Sequence, residues 1–88
     1  MSVTLRDEVI HLSGPCGVEN AEPLVALLLE DRERSVNMRN CTEIHTAVIQ
    51  VILAFQPTIV VPASDPVIYG LVLHVSENAN AEEMERDV

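Results

Sequence analysis

The run Thr46–Phe55, TAVIQVILAF, constrains the fold more than any other stretch, because it is almost wholly apolar and interrupted only by Gln50. Its length and alanine content predict a buried helix. Gln56-Pro57 ends that helix, since the residue before a proline is pushed out of helical conformation. No apolar run in the chain reaches the ~18 residues of a membrane span. A buried helix must be covered by other elements, and its neighbours in sequence supply them.

On either side lie short β-rich runs. Val36 and Met38 share one face of a strand over Ser35–Met38, and Arg39–Glu43 reads as a polar connector into the helix. Beyond it, Thr58–Val61 is β-branched and flanked by prolines, which makes it a further strand. Near the start, Val3 and Leu5 alternate with polar residues, Arg6-Asp7-Glu8 forms a turn, and Glu8–Leu12 is β-rich. Ser13-Gly14-Pro15-Cys16-Gly17 is then expected to break the chain, with two glycines and a proline. Between break and strand, Ala21, Leu24, Val25 and Leu28 follow the i, i+3, i+4, i+7 pattern of an amphipathic helix over Glu19–Asp31. Pro23 is tolerated only within its first turn.

The last structured segment is open to two readings. Ser64 or Asp65 is placed to cap a helix with Pro66 at its first position, running through Val75. Alternatively, VIYGLVLHV is β-branched enough for a strand. Glu77–Val88 carries five acids against Arg86 and reads as an acidic, disordered tail. The expectation is one domain over residues 1–76, in the order β-β-α-β-α-β-α: an α/β fold with a small mixed sheet covered by helices.

Composition narrows the function. The 88 residues carry a formal charge of −9, with five arginines and no lysine. Neutralising nucleic-acid phosphates or docking on anionic lipid requires clustered cations, so neither is expected. A basic or neutral protein partner fits better. The N-terminal MSVTLRDEVI does not have the layout of a signal peptide, and two cysteines make no disulfide framework, so a reducing cytoplasm is expected.

Chemistry-bearing residues gather before the central helix. Thr46 sits at a helix N-terminus beyond a strand, a position where its hydroxyl can cap the helix or carry a phosphate favoured by the helix dipole. Cys41, Glu43 and His45 alternate along an extended segment. The other potential ligands, Cys16, His11 and His74, have no paired metal spacing, so neither metal nor cofactor is expected. Cys41 and His45 do not form a nucleophile–base pair with an identifiable third member, and no catalytic residue is assigned. His11 reads as a core-edge residue, and SGPCG lacks the lysine of a phosphate-binding loop. Gln50, one turn beyond Thr46, is a candidate surface contact or a partner for a nearby backbone group.

Taken together, HLSGPCGVENAEPLVALLLE and SVNMRNCTEIHTAVIQVILAF resemble the STAS domains, named for sulfate transporters and anti-sigma factor antagonists. Val36-Asn37-Met38 matches that family's alternating strand. His45-Thr46-Ala47-Val48 falls at its Asp-Ser-Ser-Gly-like motif, and the likeness spans roughly residues 8–62. Two departures stand out: His45 replaces the family aspartate, and Ala47 and Val48 replace small residues. The resemblance implies a bacterial regulatory module of signal transduction and transcription regulation, not an enzyme. Thr46 would be its phosphorylation site, and its contact surface would comprise Gly14, Cys16, Glu43, His45, Thr46, Ala47 and Gln50. The partner implied is a kinase-like anti-sigma factor or, since Thr46-Ala47-x-x-Gln50-x-x-Leu53-Ala54 is similar to small chemotaxis-associated members, a chemotaxis protein. The alternative is a structural subunit binding the ATPase of an ABC lipid transporter, and homodimerisation is compatible with either.

Overall fold

A computed structural model of the chain describes residues 2–74. Strands β1 (Val3–Arg6) and β2 (Val9–Cys16) form an antiparallel hairpin. Its two-residue turn, Asp7-Glu8, has positive φ at both positions (52° and 66°), the conformation whose twist matches that of paired strands. A short 3-10 turn, Val18–Asn20, leads into α1 (Ala21–Glu30), with Pro23 in its first turn. Then follow β3 (Ser35–Ile44), α2 (Thr46–Phe55), β4 (Ile59–Val61) and a third helix, α3, over residues 66–74.

The structure is therefore a mixed α/β fold with a four-stranded sheet in the order β1-β2-β3-β4; β2, β3 and β4 are parallel. The two crossovers step in the same direction across the sheet. With the usual right-handed connection they put α1 and α2 on one face, and these two helices touch. That face holds the core: Ile10, Leu12, Val36 and Met38 from the strands pack against Leu24, Leu28, Val48, Ile52, Ile68 and Val72 from the helices. Thr4, Arg6, His11, Ser13 and Asn37 alternate with the buried strand residues and are exposed or half-buried.

Residues 66–74 are helical, and Asp65 caps them. Its carboxylate accepts from the N–H groups of Val67 (2.9 Å) and Ile68 (3.3 Å), which decides between the two readings of this segment. The proposed helix end at Val75 and the acidic tail over residues 77–88 lie outside the described residues.

Two expectations are corrected. The SGPCG stretch does not break the chain before Cys16, because β2 runs through Gly14-Pro15 to Cys16 and pairs with β3. Arg39–Glu43 is not a connector but the second half of β3. The reason is shared: each segment alone is a poor strand, but together they pair in parallel across register shifts near Ser13 and Gly14. Gly14, at φ +67°, takes the backbone kink that a larger residue would resist. Cys41, fully buried, gives the extension its apolar anchor. The central helix also differs in part. Val48, Val51 and Ile52 are buried, whereas Leu53 is 42% exposed, so α2 is one-sided rather than wholly enclosed.

Candidate functional site

Because β2 and β3 are parallel, their carboxyl ends lie at the same end of the sheet, and both following helical segments start there. Cys16 faces Ile44 in the register, and the Cys16 carbonyl accepts the His45 N–H at 2.9 Å, tying the start of α2 to the end of β2. The space left between these ends is an open cleft of about 420 Å³. Pro15, Cys16, Gly17 and Glu19 form one wall, with Glu43, Ile44 and His45 opposite. Gly17 admits the Glu19 side chain, since a Cβ on Gly17 would meet a Glu19 carboxylate oxygen at 2.6 Å.

His45, not Thr46, caps α2. Its Nδ1 accepts the Ala47 N–H at 3.0 Å, and its backbone is extended, as a cap requires. The capping role expected of Thr46 is thus overturned. Thr46 becomes the first helical residue, exposed, with no side-chain hydrogen bond among the described residues. One and two turns along the same face follow Gln50 and Leu53, both exposed, so Thr46, Gln50 and Leu53 form a stripe at i, i+4, i+7.

The residues singled out in sequence thus divide into two groups. Cys16, Glu43 and His45 meet around the cleft; Gly14 lies just behind it in β2, at a kink with no atom within 4 Å of its missing Cβ. Thr46 and Gln50 stand on the outer face of α2, and Ala47 is half-buried. Glu19 and Leu53 join these residues from the structure: Glu19 lies in the helical segment after β2 and reaches the cleft, and the exposure of Leu53 inside an apolar run shows only once α2 packs on one side.

Cys41 does not share an environment with Glu43 and His45. Cys41 is buried while Glu43 and His45 are exposed, and no group of three His, Cys, Asp or Glu residues that could hold a metal occurs among the described residues. Cys41 Sγ instead approaches Cys16 Sγ at 3.8 Å and the Glu43 carbonyl at 3.3 Å. Hydrogen bonding between the two sulfurs, with burial adding to it, pushes the Cys16 thiol well up. The same bond holds Cys41 below the ordinary thiol range despite its burial. A second groove, apolar and about 260 Å³, lies between Met38, Ile59 and α3, and is lined by none of the residues singled out above.

Among the described residues no helix is long and apolar enough to cross a membrane. No family model, no curated protein and no solved structure matches this chain.

Proposed function

We propose that this chain is a regulatory protein–protein interaction module, similar to an anti-sigma factor antagonist, that docks its partner through the start and outer face of α2. The observation carrying this reading is Thr46: a hydroxyl at the first position of a helix, exposed and unengaged because His45 has taken the cap. Beside it, Gln50 and Leu53 extend the surface along the helix, and the cleft beyond Glu43 and His45 gives it relief. Such a surface needs neither metal nor cofactor. The partner is a kinase-like anti-sigma factor or chemotaxis protein in the cytoplasm.

Phosphorylation of Thr46 adds a bulky, strongly hydrated group carrying about −1.5 to −2 charges. It lies where the partner must pack against the helix, so its bulk and the cost of stripping its water displace the partner even though the acidic surface as a whole attracts a basic one. The test is a pull-down with wild type and Thr46→Glu, with the captured protein then purified and its affinity for each form measured. The expected result is a kinase-like or chemotaxis partner bound at least 10-fold more weakly by Thr46→Glu, at unchanged stability. Equal affinity for both forms removes the switch, and capture of a transporter ATPase held equally by both replaces this reading with a structural subunit.

A further inference from the structure

The chain contains two cysteines, and the fold brings them together. Cys16 is the last residue of β2 and Cys41 lies within β3, their sulfurs 3.8 Å apart in an otherwise aliphatic core. Both are free thiols, and Cys16 also forms part of the cleft wall. They meet where the pairing of β2 with β3 is irregular: Cys41 faces the kinked Gly14 in the register, and Cys16 follows the shift between Gly14 and Pro15.

We infer that Cys16 and Cys41 are a reversible dithiol–disulfide pair, a covalent staple between β2 and β3 beside the candidate site. The oxidant is hydrogen peroxide, small enough to enter the cleft. One cysteine, as thiolate, attacks one peroxide oxygen; an S–O bond forms, the O–O bond breaks, and the departing hydroxide takes up a proton to become water. The sulfur of the other cysteine then attacks the sulfenic acid. The S–S bond forms as the S–O bond breaks, and the released hydroxide leaves as water with the second thiol's proton. Two thiols are oxidised to one disulfide, and one peroxide is reduced to two waters. A dithiol reductant reverses the change.

Three features support the pair. Cys16 lines the cleft, so one of the two sulfurs borders the space an oxidant enters. The sulfurs must close by roughly 1.8 Å to reach a bond of about 2.05 Å. The irregular end of β2 is the part of the sheet best able to supply that movement, since Gly14 has open space around it. The second thiol, 3.8 Å away, meets the sulfenic acid before a further peroxide arrives, which favours the disulfide over higher oxides. Closure also acts on the site: the Cys16 carbonyl that moves with it is the acceptor of the His45 N–H.

This inference does not depend on the partner proposed above, and its test uses none. Reduced wild-type protein is exposed to hydrogen peroxide, quenched in denaturant with a maleimide, and weighed intact. The expected product is a monomer lighter by two hydrogens, with both thiols lost to the maleimide and both recovered after dithiothreitol. The same treatment of Cys16→Ala should yield no such species. The inference is overturned by thiols that stay fully reactive under peroxide sufficient to oxidise a cysteine peptide, by products that only gain oxygen, or by disulfide bonds found solely between chains.

Discussion

His45 and Thr46 share the start of α2, and the division of work between them decides what the site can do. Threonine is a favoured capping residue and histidine is not, so sequence statistics point to Thr46. The structure gives the cap to His45 because β3 stays extended through Ile44, leaving the imidazole one position ahead of the helix. Removing it, as His45→Ala, should cost about 1 kcal/mol in urea unfolding, while His45→Asp should recover the loss because a carboxylate accepts the same Ala47 N–H and suits the helix dipole. Equal stability of His45→Ala and wild type would mean that the cap does not form. Arg34 is a second residue whose role sequence alone did not reveal. Its guanidinium donates to the Leu27 carbonyl at 2.8 Å near the end of α1 and pairs with Glu8 and Glu30, joining that helix to the hairpin turn. Arg34→Met should lower the Tm, and the gap from wild type should narrow but not close at high salt, since the carbonyl bond is not an ion pair.

At the scale of elements, sequence patterns served best where one element satisfied itself. The boundaries of α2 follow from its apolar run and Pro57, whereas the next segment reads as helix or strand until Asp65, one of two candidate caps before Pro66, is seen to cap α3. They served worst where an element exists only through its neighbour. Gly14-Pro15 and Arg39–Glu43 lack any strand periodicity of their own, and their pairing across two register shifts is a tertiary event. That pairing also makes the site, since it carries Cys16 and Ile44 to the same end of the sheet. The end of α2 offers a test of local strain. Gln56 sits in the left-handed region, at φ 48° and ψ 52°, where its Cβ crowds the following carbonyl. Gln56→Gly relieves that crowding while freeing the unfolded chain, so a net gain of about 0.5–1 kcal/mol is expected by denaturant unfolding. A loss instead would show that the exposed Gln56 side chain makes a contact worth more than the strain.

Over the whole molecule two quantities set the behaviour: a small aliphatic core and a large negative charge. Phe55 is half-buried and Tyr69 exposed, so the core is built of Leu, Ile, Val, Met, Ala and Cys without a buried aromatic among the described residues. For 88 residues the total stability is of order 5–10 kcal/mol, and Leu28→Ala, at a site 1% exposed, should remove about 3–4 kcal/mol of it. The surface is where function separates from fold. Leu53→Glu should leave the Tm nearly unchanged, because the side chain is 42% exposed, yet should weaken the partner by at least 10-fold if the outer face of α2 is the contact. Charge acts differently from such a contact. Of the five arginines, Arg34 is already held by two acids and Arg32 rests on the Phe55 ring, so few cations offset the acids that flank the cleft. A chain at −9 attracts a basic partner surface from beyond contact distance, and salt screens that attraction over ~10 Å at ~0.1 M. The association rate should therefore fall about 10-fold or more between ~0.01 and ~0.15 M salt, with little change in dissociation rate. Leu53→Glu should do the reverse, raising dissociation with little effect on association. Stopped-flow measurement of both rates separates the two, and a salt-independent association rate would show that the partner meets this surface through shape and apolar contact alone.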